Sequence, residues 1–219
     1  MNPMPALYSR VKRLTAALKG GRRAQAMTEV VLLFPVFMIR SSMNDVLDMG
    51  ADRVIIDLRG NRGGSLAELS TALSYFSPGG GKLFTSMSRH KGYSMGFYSR
   101  LRGSYAGIPV VAVTDQETVS RAEIFISALR EWNGCSVLGE RTGGNVSATR
   151  GFTLKNGGIV RITVAKLFPP SGTDIDNVGV SPDIAVKTEA PAPGTVREFP
   201  PALASSDELI NKALAARPL

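Results

Sequence analysis

The sequence predicts an α/β domain, on three observations. Short β-branched runs at Arg53–Leu58 and Pro109–Thr114 read as buried strands. Each is followed by a turn of glycines or small polar residues. Each turn then leads into a helical stretch that opens on a capping-box pattern, Ser65 with Glu68 and Ser120 with Glu123. Strands alternating with crossover helices are what a parallel sheet requires.

The elements follow in chain order. Asn44–Met49 reads as the end of a helix, and Gly50 suits its C-terminal cap. Arg53–Leu58 is a strand, and Gly60, Gly63 and Gly64 form the turn after it. The helix from Ser65 runs through about Phe76, where Pro78-Gly79-Gly80-Gly81 breaks it. Lys82–Met87 reads as a strand, and Arg89–Gly107, rich in Tyr, Ser, Gly and Arg, as a long surface excursion. Pro109–Thr114 is a buried strand, Arg121–Trp132 a helix, Ser136–Leu138 a short strand and Val160–Ala165 a further one. Residues 188–204, rich in Pro and Ala, read as a linker or wrapped tail. Ser205–Ala216, with its own capping box at Ser205 and Glu208, reads as a terminal helix. The expected organisation is a basic leader with a short apolar segment at 1–40, an α/β domain at 41–187, and a linker with a helix at 188–219.

Composition narrows the chemistry. The 219 residues are 43% hydrophobic and 20% charged, the balance of a globular chain. One cysteine excludes a disulfide framework, and one histidine excludes any mechanism or zinc site that needs two. No cofactor and no metal site is expected. The net charge of +8 is concentrated at the front: residues 1–40 hold seven Lys/Arg and one acid, the remainder 19 bases and 17 acids. A nearly neutral globular part argues against a nucleic-acid partner.

The apolar run Ala26–Ile39 behind that basic leader is a pattern that membranes and export machinery read. As a helix it would be about 21 Å long, short of the ~30 Å hydrocarbon core, and Pro35 would kink it. Two readings stand: an interfacial or truncated export segment, or a buried core helix or strand. The first places the protein in the cell envelope or periplasm, with membrane association through residues 26–39. Gly20–Ile39 also resembles the amino end of TadE-like pseudopilins. That family has a basic leader, a small residue before the cut (here Ala24), a glutamate five residues on (Glu29) and an apolar helix containing a proline.

Four segments could carry chemistry. Asp57–Gly64, D-L-R-G-N-R-G-G, joins a strand to a helix, and its glycines let backbone amides face a ligand. It is a tight turn, an anion site or an oxyanion hole, but not a Walker loop, since no G-K-[ST] follows. In T-V-S-R-A-E-I, 118–124, Ser120 is either an N-cap or a nucleophile on a sharp turn, with the Arg121 amide as oxyanion donor. Leu138–Asn145 is a strand with a glycine loop. Gly172–Ile184 carries Asp174, Asp176 and Asp183, better read as turn-capping aspartates than as metal ligands.

Taken together and in this order, the segments resemble the catalytic domain of the tail-specific, or C-terminal processing, serine peptidases. That family reads D-L-R-x-N-x-G-G, then T-A-S-A-S-E-I, then G-x-x-T-x-G-K, then P-x-G and G-[IV]-x-P-D. The counterparts are 57–64, 118–124, G-E-R-T-G-G-N at 139–145, P-S-G at 170–172 and G-V-S-P-D at 179–183, and the match spans about residues 44–187. The resemblance implies a Clp-protease/crotonase-like fold, here without a PDZ domain. It implies a serine-type endopeptidase acting on polypeptides through an acyl-enzyme on Ser120. The amides of Arg121 and of Gly63 or Gly64 match the oxyanion donors. Glu131 falls near an acidic residue that some members carry in the following helix. Asp176 falls near an acidic helper of tricorn-like members.

One position departs from the pattern. Asn145 stands where serine–lysine members carry the general-base lysine, and an amide does not take a proton from serine at neutral pH. His90 lies between the first two motifs, out of place for a base, and reads as an exposed loop residue. Lys166 is the next candidate base, with a structural or exposed lysine the stronger expectation. The alternative is therefore a catalytically incomplete domain used in peptide binding or assembly. A crotonase-like acyl-CoA enzyme shares the fold, but the Ser120 motif argues against it. Cys135, beside a strand, reads as a small core residue.

Overall fold

The computed structural model describes residues 28–31, 43–44, 47–48, 50–51, 53–89, 92 and 94–187. Strands β2 (Val54–Asp57) and β5 (Val110–Thr114) are buried at every residue, as β-branched strands covered on both faces should be. With β1 (Thr28–Val31), β6 (Ser136–Gly139) and β9 (Ile184–Ala185) they form a parallel sheet in the order β1-β2-β5-β6-β9. Thr28–Val31 belong to the apolar run and pair with Val54–Asp57 as an edge strand. Over these four residues the backbone is a strand, one of the forms the second reading of that run allows. His90, the rest of the leader and the terminal helix expected at Ser205–Ala216 lie outside the described residues.

Helix α1 (Leu66–Phe76) has the capping box its sequence announces: the Glu68 amide donates to Ser65 Oγ at 3.1 Å, and Glu68 accepts the Ser65 amide at 2.8 Å. Helix α2 (Arg121–Asn133) ends on Gly134, left-handed at φ 62°, whose N–H returns to the Leu129 carbonyl. The two helices pack together, with Phe76 edge-on to Phe125 at 5.7 Å. Such a pair contributes about 0.5–1.5 kcal/mol beyond its buried area. Val54, Ile56, Val110, Ala112 and Val137 face this helical core; Ile55, Val111, Val113 and Leu138 face the other side of the sheet. Cys135 is buried in the helical core, and burial pushes its thiol up to about 12.

A second, antiparallel sheet was not foreseen in full. Its order is β4-β3-β8-β7, from β3 (Gly81–Met87), β4 (Met95–Ser99), β7 (Ser147–Thr153) and β8 (Ile159–Phe168). β4 lies inside the stretch expected to be a surface excursion. Its short run of five residues, with one glycine and one serine, hides the alternation, and its one strong anchor is Phe97 stacked on Phe84 at 4.1 Å. β7 was missed because most of its residues are exposed, so no buried face marks it.

Candidate active site

The carboxyl ends of β2, β5 and β6 point to one place, where parallel sheets present ligand sites. The first loop is rigid by construction. Arg59 folds back onto Asp57 in a buried ion pair, Nη2 to Oδ2 at 2.6 Å. The Gly60 amide donates to Asp115 Oδ1 at 2.9 Å, and Asn61 holds the Val119 amide on its carbonyl, also at 2.9 Å. Thr118 Oγ1 donates to the Leu58 carbonyl at 2.8 Å. The first two motifs are therefore laced together by their own polar residues.

Gly63 shows why a glycine stands there. Its φ is +85°, and a Cβ would lie 2.9 Å from the Arg121 amide nitrogen and 3.2 Å from Ser120 Cβ. The glycine turn thus lies directly against Ser120 and Arg121. The Gly63 amide itself donates to Asn61 Oδ1 at 2.9 Å. Among the described residues, the amides of Gly64 and Arg121 have no such partner.

Ser120 has φ 66° and ψ −123°, whereas an N-cap residue normally sits in the β region. For a non-glycine residue this is a strained conformation costing on the order of 1–3 kcal/mol. A sharp strained turn from strand to helix is how a nucleophile is lifted out of its backbone. The Glu123 amide donates to the Ser120 carbonyl at 3.1 Å, and the group donating to Ser120 Oγ is Arg121 Nη1, at 3.0 Å.

Glu123, which the sequence marks only as half of a capping box, is the buried hub of the site. Its carboxylate accepts from Ser120 N–H at 2.8 Å, Gly144 N–H at 2.7 Å and Asn145 N–H at 2.9 Å, and from Thr142 Oγ1. Oε2 is shared between Ser120 and Asn145, so their backbones lie side by side. Asn145 thus stands beside the serine, as its spacing led one to expect, with an exposed side chain. Thr142 Oγ1 also accepts the Val180 amide at 2.7 Å, which docks the G-V-S-P-D segment onto this loop.

The remaining candidates have structural partners. Lys166 Nζ lies 3.0 Å from Asp174 Oδ2 and 3.2 Å from Asp176 Oδ2. Hydrogen bonds to Asp174 and Asp176 hold its ammonium above the ordinary lysine range, the opposite of what a general base needs. The Asp176 amide and Lys166 hold the Asp174 carboxyl below its ordinary value. Asp176 Oδ1 also receives the Val146 amide, at 3.4 Å, one residue beyond Asn145. Asp183 ties Val137 N–H and Arg130 Nη2, at 2.7 and 2.8 Å. Glu131 accepts from Ser171 N–H at 2.9 Å and Oγ at 2.6 Å, about three helical turns from Ser120.

Comparison with known proteins gives the family. The sequence profile of Peptidase family S41 matches residues 38–186. The chain belongs to this family. It is 30% identical over 167 residues to a carboxyl-terminal-processing protease of Picosynechococcus sp., covering 76% of this chain and 37% of that protein. It is 28% identical over 134 residues to the carboxy-terminal processing protease CtpB of Bacillus subtilis, covering 61% of this chain and 28% of that protein. Its fold superposes on a photosystem II D1 C-terminal processing protease with a TM-score of 0.61 at 25% identity, covering 69% of this chain and 39% of that one. The chain therefore spans between 28% and 39% of the length of these relatives. The S41 assignment bears out the family resemblance and the α/β peptidase fold that the four motifs imply.

Proposed function

We propose that the chain is a serine endopeptidase of the tail-specific class, cleaving polypeptides through an acyl-enzyme on Ser120. The observation that carries this is the strained Ser120 turn, packed against Gly63 and followed by a helix start with an unpartnered amide. The hydroxyl attacks the scissile carbonyl, and the amides of Gly64 and Arg121 receive the developing oxyanion. Gly63 shapes this hole rather than donating to it, since its amide belongs to Asn61. Asp176 acts at one remove, by fixing the loop that carries Asn145. With asparagine at the base position, acylation is slow.

We infer from the basic leader that the protein works in the cell envelope; the membrane contact expected of the apolar run 26–39 does not extend to Thr28–Val31, which pair with β2 in the central sheet. This placement rests on composition: no helix among the described residues is long and apolar enough to cross a membrane. Fractionation of cells producing the full chain checks it, and recovery wholly in the cytosolic fraction would overturn it.

The function is tested by incubating the protein with an unstructured polypeptide such as casein and identifying fragments by mass spectrometry. Slow cleavage, absent in Ser120→Ala, is expected. Equal cleavage by both proteins would remove Ser120 from the mechanism. No cleavage by either would leave the alternative, a peptide-binding domain with an incomplete site.

A further inference from the structure

Arg121 is a charge in an unusual position. In the family pattern quoted above, alanine follows the nucleophilic serine; here the residue is arginine. Its stem lies against the Gly63 turn, where a Cβ on Gly63 would be 3.3 Å from Arg121 Cδ. The guanidinium reaches back over the helix start, and Nη1 donates to Ser120 Oγ at 3.0 Å. Nε is buried and has no hydrogen-bond partner. No carboxylate pairs with this arginine among the described residues. Glu123, two residues on, gives its oxygens to Ser120, Thr142, Gly144 and Asn145 instead. Burial lowers the affinity of Arg121 for its proton, but a guanidinium stays charged in a protein.

A half-buried cation whose one acceptor is a neutral hydroxyl is an unfinished ion pair. An arginine fork matches a carboxylate, and such charge-assisted bonds are about twice as strong as neutral ones. We propose that Arg121 makes the Ser120 site a receptor for the free carboxylate of a peptide, the group that cleavage leaves at a new C-terminus. A carboxylate lying against Ser120 Oγ meets Nη1 on one oxygen and the unpartnered amides of Gly64 and Arg121 on the other. This deepens the peptidase reading and rests on it for the identity of the ligand as a peptide. Its consequence is product retention: the acid just formed holds the site closed to the next substrate.

The test is a binding measurement and needs no turnover. N-acetyl-tetra-alanine with a free C-terminal carboxylate, and the same peptide as its C-terminal amide, are titrated into the full chain to millimolar concentration by calorimetry. The carboxylate is expected to bind at least about tenfold more tightly than the amide, a difference of roughly 1.4 kcal/mol. Arg121→Met should abolish that preference, and Arg121→Lys should keep part of it. Equal affinities in the wild type, or no detectable binding of either peptide, would overturn the proposal without any variant. So would a preference that survives in Arg121→Met. Failure of peptide cleavage leaves this test intact, so the two readings fail separately.

Discussion

At the scale of single residues, the account turns on Ser120, Arg121 and Asn145. Ser120 has the geometry of a nucleophile, and Arg121 supplies a donor to its oxygen, which is the wrong polarity for a base. Lys166 is withdrawn into an ion pair with Asp174 and Asp176. In the proposed mechanism the base position is Asn145, whose backbone amide shares Glu123 Oε2 with that of Ser120. Asn145→Lys should raise the rate of peptide cleavage by about 10²–10⁴, the range of general-base catalysis, with a pH dependence set by the new ammonium. An unchanged rate in well-folded Asn145→Lys would show that position 145 is not where the proton goes. The adjacency of these two positions was legible because their motifs, 118–124 and 139–145, follow one another at a fixed spacing, and both bind Glu123. It could not show what faces Ser120 Oγ, because a guanidinium's direction depends on how the Gly63 turn packs.

At the scale of elements, three loops converge because buried polar groups lock them. Asp115 holds the first loop, Thr118 joins it to the second, and Glu123 joins the second to the third. Glu123→Ala leaves several buried donors unpaired, and a loss of roughly 3 kcal/mol in urea-unfolding free energy is expected. A loss below 1 kcal/mol would mean that the loops hold without this carboxylate. Strands β2, β5 and β6 of the central sheet and the two helices were readable from β-branched runs and capping boxes; the edge strands β1 and β9 were not. The antiparallel sheet was harder, since β4 and β7 have exposed, glycine-containing sequences whose pairing depends on distant partners. The role of Glu123 as a hub was masked for a different reason. Its S-x-x-E spacing is satisfied by a local cap, so nothing in the pattern announces contacts about twenty residues away.

At the scale of the whole molecule, the fold is one α/β core with its chemistry at the carboxyl ends of three parallel strands. The excess positive charge lies in the first 40 residues of the sequence, which explains why a net charge of +8 misleads if read as a property of the whole chain. Cys135 offers a probe of the core's integrity, being 2% exposed with its thiol pushed up to about 12. At pH 8 it should resist aromatic disulfide reagents in the native protein and react at once in urea. Prompt reaction without denaturant would contradict the packing of β6 against α2.

The most direct test of the central claim is the intact mass of the purified chain after exposure to a fluorophosphonate, with Ser120→Ala beside it. A single adduct, formed slowly on the wild type and absent from the variant, is the predicted result. An adduct that persists in Ser120→Ala, or no adduct on folded wild-type protein, would contradict the assignment of Ser120 as the nucleophile.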